Sequence, residues 1–395
     1  MTAPSAPSAP SAAIGPGDPI LALNCGSSSL KYAVFAGDDV IARATVDGVT
    51  DHRRAVLGVL DGLAARPAAV GHRLVHGGPD HSAPVRVDPA LLAALARLVP
   101  LSPLHLPAEL AAIDAVSQRL GELPQVVCFD TAFHHTLPMV ARRFALPVAL
   151  FDAGIRRYGF HGLSYASIVG ALPADRMRRA VIAHLGSGAS MAAIRDGRSV
   201  ETTMGFSPAG GLVMATRAGD LDPGLIVYLL DRGHDARWLD HLINHQAGLL
   251  ALSETTADMQ RLLAQRAFDP RAALAVDAFC YHARKAIGAL AAVLGGLDTL
   301  VFTGGIGEHA APVRAEICHG LAHLGIALDA DRNAAGTAII SAGIITSMSP
   351  GTSPGTTNTS ISPGRCEVRV MRTDEEREIA RATRSVLVPP AARAS

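Results

Sequence analysis

The sequence has few lysines and few aromatic residues, and its charges balance. Only two of its 35 lysine and arginine residues are lysines, Lys31 and Lys285, and its formal net charge at pH 7 is zero. A neutral chain lacks the positive surface by which nucleic-acid-binding proteins hold their partner, which argues against that class. Because arginine supplies nearly every other cation, Lys31 is a candidate for a compact charge that meets a phosphate. The alternative is that codon bias has replaced most lysines by arginine and that Lys31 remains at its position by chance.

Other absences bear on location and on metal content. No apolar run is long enough to span a bilayer, and residues 1–18 have neither the basic nor the apolar part of a secretory signal. Their Pro, Ala and Ser content predicts a disordered tail. The five cysteines show no CxxC or Cys–His spacing, so a structural zinc site is not expected. Scattered free thiols fit the reducing cytoplasm.

The apolar pattern predicts an α/β fold. Strand-like apolar runs alternate with helical patterns, and residues 89–99 and 271–295 have the three-to-four spacing of amphipathic helices. Residues 341–365 are rich in Ser, Thr, Gly and Pro, which predicts a flexible surface loop inserted in the second half of the chain.

The sequence contains an internal repeat. ILALNCGSSSLKYAVFAGD at 20–38 and VIAHLGSGASMAAIRDG at 181–197 share an apolar strand, a Gly/Ser turn and a second strand, offset by 160 residues. The backbone N–H groups of such turns can surround an anion, so two hairpins suggest a duplicated domain that holds a phosphate. Short Gly/Ser turns also align by chance. Neither copy matches the P-loop pattern GxxxxGK[ST]. A third glycine turn, in VFTGGIGEHAAPVR at 301–314, is either a nucleotide site or a plain strand-to-helix connection.

Polar clusters follow several predicted strands, where α/β proteins build their sites. They are GHRLVHGG (71–78), PLHLP (103–107), VVCFDTAFHHTLP (126–138), RRYGFHG (156–162), ETTMGFSPAGG (201–211) and ATRAGDLDPG (215–224). Phosphoryl transfer requires cations and hydrogen-bond donors around the transferred group, and these clusters supply both. The candidates are Arg73, Arg156, Arg217, His161 and His184, and Asp130 could orient or deprotonate a nucleophile or hold metal-bound water. Each alone could be a structural side chain, but the shared pattern favours one site.

In these motifs the chain resembles the acetate kinase (acetokinase) family of carboxylate kinases, which form acyl phosphates. LNCGSSSLKY, HRLVHGG, FDTAFHHTLP, RRYGFHG, HLGSGAS, ETTMGFSPAGG and FTGGIGEH follow the family's order across roughly 19–340 and 366–385. The resemblance implies two duplicated ribonuclease-H-like α/β domains of the actin/hexokinase/Hsp70 (ASKHA) type with an interdomain cleft. It places an N-terminal lobe at 19–134 plus 376–395. The second lobe, at 135–375, would bind the nucleotide and form the dimer interface.

The resemblance also implies an activity and its residues. The activity is reversible, Mg²⁺-dependent transfer of the ATP γ-phosphoryl group to acetate, giving acetyl phosphate and ADP, in a cytoplasmic homodimer that binds neither nucleic acid nor membrane. The implied catalytic residues are Asp130, His161 and Arg217, and the implied substrate-binding residues are Arg73, Val75, Leu104, Phe160 and Pro208. Asn24 and Glu375 would position Mg²⁺, or Mn²⁺ in its place. The implied nucleotide-binding residues are Ser27, Ser29, Lys31, His184, Leu185, Gly186, Ser187, Gly188, Asp258, Met259, Gln260, Gly305, Ile306, Gly307, Glu308 and His309.

Four positions depart from the family pattern: Ser187, Leu106 and His309 each replace an asparagine, and Gln260 replaces an arginine. None is an implied catalytic residue, so we expect any effect to fall on nucleotide affinity. We expect Asp130 to orient Arg73 or metal-bound water rather than act as a base, because acetate is already ionised at neutral pH.

Two alternative functions stay open. One is the same chemistry on propionate or butyrate, since one methylene changes selectivity by only about 1–3 kcal/mol. The other is an actin-like or Hsp70-like nucleotide switch that binds a partner protein, which would not require Arg73 and Arg217 around a small apolar pocket.

Overall fold

The computed structural model describes residues 14–26, 29–121, 123–342 and 366–388. Its strands are β1 (Pro19–Cys25), β2 (Ser29–Ala36), β3 (Asp39–Asp47), β4 (Ala69–Leu74), β5 (Val85–Arg86), β6 (Gln125–Phe129), β7 (Arg179–Leu185), β8 (Ala189–Arg195), β9 (Arg198–Thr202), β10 (Thr299–Thr303) and β11 (Glu367–Val370). The chain divides into two compact units, Met1–Ala132 with Asp374–Ser395, and Phe133–Thr373.

The α-helices are α1 (His52–Asp61), α2 (Pro89–Arg97), α3 (Leu106–Leu120), α4 (Met139–Arg142), α5 (Val148–Asp152), α6 (Gly162–Ala171), α7 (Pro223–Asp231), α8 (Ala236–His245), α9 (Gly248–Ser253), α10 (Met259–Gln265), α11 (Pro270–Leu294), α12 (Gly304–His309), α13 (Ala311–Cys318), α14 (Ala330–Ala335) and α15 (Glu375–Leu387). Within the described ranges, none of them combines the length and the apolar character that a membrane crossing requires.

Each unit contains one mixed sheet, and the two sheets share a topology. The first has the order β3-β2-β1-β4-β6-β5 and the second has the order β9-β8-β7-β10-β11. In both, the first three strands form antiparallel hairpins, and the next two join in parallel. The predicted α/β fold with a duplicated domain is therefore confirmed.

The repeat found in the sequence corresponds to one hairpin in each sheet. β1 and β7 begin and end 160 residues apart. The first turn closes with the amide of Gly26 donating to the carbonyl of Ser29 at 2.8 Å, and the second with Gly186 donating to Gly188 at 3.0 Å. The second turn is thus one residue shorter, and Asn24 pairs with Lys31 where His184 pairs with Ser190.

The helix ends follow ordinary capping chemistry. Asp88 accepts the amide of Leu91 ahead of α2, and Asp269 accepts the amide of Arg271 ahead of α11. α11 ends at Gly295, which has a φ of 71° that glycine adopts readily. The two helices predicted at 89–99 and 271–295 are therefore present, with ends shifted by one or two residues.

α15 packs closely on the first sheet because β4 contains a glycine. A Cβ on Gly71 would lie 2.2 Å from Oγ1 of Thr383 and 2.6 Å from Cγ2 of Ile379, both on α15. This approach brings the start of α15, with Glu375, close to Asn24 on β1.

The predicted loop at 341–365 starts too early. Ser341 is buried and forms an isolated bridge with Leu328, because the amide of Ala342 donates to the carbonyl of Ala327. Residues 343–365 lie outside the described residues, as do most of the predicted tail at 1–18 and Ser27 of the predicted nucleotide set.

Candidate active site

The first unit places an arginine and an aspartate at the carboxyl ends of neighbouring parallel strands. Arg73 lies on β4, and Asp130 follows β6 directly. Nη2 of Arg73 donates to Oδ2 of Asp130 at 2.6 Å, and Nε donates to Oδ1 at 3.2 Å and to Oδ2 at 3.1 Å. Asp130 is only 1% exposed. Both its oxygens are engaged by the guanidinium, so its geometry suits a group that orients Arg73.

Arg73 keeps its charge despite its burial. Burial opposes the charged form, but the carboxylates of Asp130 and Glu375 outweigh it and raise the pKa of Arg73 above its ordinary value. A partly buried cation held in this way is suited to bind a carboxylate or a phosphoryl oxygen.

Asn24 connects this arginine to the start of α15. Its Nδ2 donates to Oε2 of Glu375 at 2.8 Å and to Oε1 of Glu376 at 2.9 Å, and its Oδ1 accepts from Nη1 of Arg73 at 3.4 Å. Within the described residues, no group of three or more His, Cys, Asp or Glu side chains is arranged to hold a metal. Two carboxylates beside one amide nevertheless fit Mg²⁺, which takes few protein oxygens and keeps several waters. Glu376 was not predicted from the sequence.

A second residue that sequence reasoning missed is Glu109. It lies on α3, is only 2% exposed, and accepts the amide of Val75 at 3.2 and 3.1 Å through its two oxygens. Burial raises the pKa of Glu109 to about 8, although Arg73 and the Val75 amide lower it. A signal was present, because Glu109 occupies an apolar position between the buried residues Leu106 and Ile113 of α3.

The remaining predicted residues of the first unit differ in exposure. Val75 is 3% exposed just after β4, whereas Leu104 is 40% exposed before α3. Ser29 is partly buried at the start of β2, and Lys31 on the same strand is exposed.

In the second unit the predicted catalytic histidine stacks on another predicted residue. The ring of His161 lies 4.3 Å from the ring of His184, with 20° between their planes. Nδ1 of His161 is 2.8 Å from Oγ of Ser190, and Nδ1 of His184 is 2.8 Å from Oγ of Ser164. His161 has a φ of 58°, a left-handed conformation that side chains rarely adopt, immediately before α6.

Two predicted catalytic groups converge at Gly188. A Cβ on this glycine would lie 3.2 Å from Nε2 of His161 and 3.7 Å from Nη1 of Arg217. Arg217 also donates from Nη1 to the carbonyl of Pro208 at 3.2 Å. The second glycine turn therefore leaves a space that the imidazole and the guanidinium both reach.

The second unit also contains a cavity of about 740 Å³. Eight predicted nucleotide residues line it, from three separate segments: Gly186, Ser187, Asp258, Met259, Gln260, Gly305, Ile306 and His309. Sequence reasoning missed Ala215, Ala257, Leu263, Ala310 and Pro312, which also line it and are small or apolar. Such lining with a few polar groups is typical of nucleotide-sized sites.

Other predicted residues have structural contacts. Oε1 of Glu308 accepts the amide of Gly304, and the carbonyl of Gly307 accepts from Nη1 of the buried Arg314. Leu185 is fully buried. Pro208 is partly buried, and its carbonyl accepts a hydrogen bond from Arg217. A further predicted residue, Phe160, is 1% exposed and precedes His161.

Arg156, a candidate cation in the sequence, packs its guanidinium over Phe151, 4.5 Å from the ring centroid. Asp258 caps α10 by accepting the amides of Gln260 and Arg261 through Oδ1.

Comparison with known proteins places these features in one family. The sequence profile of the acetokinase family matches residues 59–381. The acetate kinase of Rhodopseudomonas palustris is 43% identical over 358 residues, covering 80% of this chain and 89% of that protein. The acetate kinase of Rhizobium meliloti is 42% identical over 412 residues, covering 94% and 99%.

Solved structures agree. A crystal structure of Porphyromonas gingivalis acetate kinase superposes with a TM-score of 0.80 at 33% identity, covering 94% of this chain and all of that one. A propionate kinase from Francisella tularensis gives 0.82 at 31% identity, covering 92% and 98%. The chain therefore belongs to the acetokinase family.

Proposed function

We propose that this protein transfers the γ-phosphoryl group of ATP reversibly to acetate, giving acetyl phosphate and ADP. The observation that carries the proposal is the partly buried Arg73, fixed by Asp130 and followed by the buried apolar Val75. A cation beside a small apolar side chain matches a short carboxylate, whose charged end needs a partner and whose methyl group does not. The two relatives named above at 42–43% identity are acetate kinases, which supports the same substrate here.

In this proposal the residues divide the chemistry. Arg73 binds the acetate carboxylate, and the apolar Val75 that follows it on the same unit contacts the methyl group. Arg217 and His161 donate hydrogen bonds to the phosphoryl oxygens, where negative charge is spread in the transition state. Asp130 holds the guanidinium of Arg73 in place and takes no proton from acetate, since acetate is already ionised.

The nucleotide is proposed to bind in the cavity of the second unit. Its volume of about 740 Å³ suits a ligand of this size. Three of the departures from the family pattern, Ser187, Gln260 and His309, line this cavity. We expect them to change nucleotide affinity and leave the phosphoryl chemistry in place.

Mg²⁺ is proposed to bind beside Asn24 and Glu375, with Glu376 as a further oxygen ligand and Mn²⁺ as a substitute. When bound, the ion would neutralise charge on the transferred phosphoryl group. Asn24 would turn its amide oxygen toward bound water, and Glu375 would keep its carboxylate at the start of α15, where the helix dipole favours negative charge.

A cytoplasmic homodimer is also proposed, with the second unit forming the interface. α7 supports this proposal because it is apolar yet exposed: Leu225, Val227, Tyr228 and Leu230 are each 41–57% exposed. Exposed apolar patches of this kind mark interaction surfaces. The five cysteines are buried free thiols, as expected in a reducing compartment.

A hydroxylamine trap tests the activity. With ATP, Mg²⁺, acetate and hydroxylamine, the protein should form one acetyl hydroxamate for each ADP. ADP without hydroxamate would favour a nucleotide switch. Arg73→Lys should lose most hydroxamate formation because lysine lacks the two-pronged contact. Arg86→Lys, at an exposed arginine on β5 of the same unit, is the matched control and should keep it.

Propionate is the second candidate substrate, since one structural neighbour at 31% identity is a propionate kinase. Measuring kcat/KM for acetate, propionate and butyrate separates the candidates. We expect acetate to lead, and a higher value for propionate would reassign the substrate.

A further inference from the structure

The Nδ1 side of the His161 ring contacts a buried hydroxyl group, which in turn contacts a second one. Oγ of Ser190, on β8, lies 2.8 Å from Nδ1 of His161, and Oη of Tyr165, on α6, lies 2.5 Å from the same Oγ. Ser190 and Tyr165 are both fully buried. The three side chains therefore form a short chain of hydrogen bonds that ends at the ring nitrogen opposite Nε2.

The direction in which these hydrogen bonds donate determines the tautomer of His161, because each hydroxyl group has only one proton to give. Ser190 has a single hydroxyl proton. If that proton is donated to Nδ1, then Oγ is free to accept the phenol proton of Tyr165. A phenol is a stronger donor and a weaker acceptor than an alkyl hydroxyl, so this direction is favoured. Nδ1 then accepts, and the proton of the neutral ring lies on Nε2.

The other ring nitrogen faces the space at Gly188. The position of a Cβ on Gly188 is 3.2 Å from Nε2 of His161 and 3.7 Å from Nη1 of Arg217. An oxygen of a phosphoryl group in this space would accept from both groups. This contact requires a proton on Nε2 of His161, because a lone pair on Nε2 would repel the phosphoryl oxygen.

We propose that Ser190 and Tyr165 are positioning residues of phosphoryl transfer, which hold His161 in the tautomer that donates from Nε2. This inference rests on the proposed function. The left-handed backbone at His161 gives the hydroxyl groups a second role, because their hydrogen bonds hold the ring on a residue whose backbone conformation is strained.

A double-mutant cycle tests the proposal. Tyr165→Phe removes one oxygen and little volume, and Ser190→Ala removes the central hydroxyl. Each should lower kcat for acetyl phosphate formation by roughly 10- to 100-fold, the range known for loss of an outer partner that fixes the tautomer of a functional histidine, with the KM values for ATP and acetate within about threefold. In a His161→Ala background the same changes should lower kcat by less than about twofold, because the group that they position is gone.

Controls separate positioning from folding. Tyr158→Phe removes a buried phenol that donates to the carbonyl of Gly154, and it should leave kcat unchanged. Circular dichroism checks that each variant is folded. If Ser190→Ala does not fold, Tyr165→Phe alone decides. A kcat within twofold of wild type for Tyr165→Phe would overturn the proposal, as would a loss that persists undiminished in the His161→Ala background.

A spectroscopic readout keeps this inference distinct from the proposed function. The ¹⁵N chemical shifts of His161, assigned by comparison with His161→Ala, report which nitrogen bears the proton at a pH where the ring is neutral. Wild type should show the proton on Nε2, and Tyr165→Phe should shift the population toward Nδ1. If wild type forms no acetyl hydroxamate, the proposed function fails. The ¹⁵N shifts would still show whether Ser190 and Tyr165 hold the proton of His161 on Nε2. A proton on Nδ1 in wild type would refute it.

Discussion

Replacing Glu109 with glutamine should make the stability of the first unit less sensitive to a rise in pH between about 5 and 8. Glu109 is a buried carboxyl group whose oxygens accept the amide of Val75. Glutamine has nearly the same shape and retains one accepting oxygen, but it cannot ionise. A difference in unfolding free energy between Glu109→Gln and wild type therefore reports the ionisation of Glu109, since the hydrogen bond to Val75 is retained.

The structure sets the size and sign of the effect. Burial raises the pKa of Glu109 from 4.5 to about 8 in the folded protein. An acid with a raised pKa contributes its full stability below its unfolded pKa, and that stability is lost as pH rises toward the folded pKa. The advantage of Glu109→Gln should therefore grow by about 1.4 kcal/mol per pH unit from about pH 5 to pH 8. It should reach about 3 kcal/mol at pH 7 and level off above pH 8.

Hydrogen exchange measured during urea unfolding provides the assay. The peptide covering β4 and Val75 reports the first unit, and fluorescence of Trp238, the only tryptophan, reports the second. Asp114→Asn is the matched control, because this exposed acid lies on the same helix with 54% of its side chain accessible. A difference between Glu109→Gln and wild type that stays constant from pH 5 to pH 9 would refute the assignment of a raised pKa.

Three further predictions concern catalysis. Arg217→Ala should lower kcat by roughly 10³-fold or more, as loss of a phosphoryl-binding arginine does, and a value within a few-fold of wild type would remove Arg217 from the site. Arg73→Ala should raise the acetate KM as well as lower kcat, and an unchanged KM in steady-state assays would contradict its contact with the carboxylate. Gly188→Ala should lower kcat by at least roughly tenfold with the fold intact, since its methyl group would lie 3.2 Å from Nε2 of His161. Full activity of that variant would show that the space beside His161 is not used.

Local patterns in the sequence predicted the parts of the fold that depend on neighbouring residues. The Gly/Ser turns at Gly26 and Gly186 mark hairpins because turn chemistry is local, and the offset of 160 residues between them holds for β1 and β7 in the structure. The two amphipathic helices were visible for the same reason, since one apolar stripe is buried along each.

Contacts between distant residues could not be predicted in this way. Glu109 accepts an amide 34 residues away, and Asn24 bonds to Glu376 across 352 residues. No periodic pattern encodes either pairing, because both depend on how α3 and α15 pack on the first sheet. Asn24 and Glu375 were expected only from the family resemblance, because no pattern within the sequence pairs them.

The small residues of the cavity were missed for a related reason. Ala257 and Pro312 line it through shape alone, and such residues have no chemical signature in a sequence. The convergence of His161 and Arg217 at Gly188 likewise depends on the absence of a side chain at that glycine.

Formation of ATP from ADP and acetyl phosphate tests the central claim most directly, because it requires phosphoryl transfer between a carboxylate and a nucleotide. Wild-type protein with Mg²⁺, ADP and acetyl phosphate should produce one ATP for each acetyl phosphate consumed, and Arg217→Ala should lose nearly all of this activity. Consumption of acetyl phosphate without ATP, or no reaction with acetyl phosphate at all, would contradict the claim.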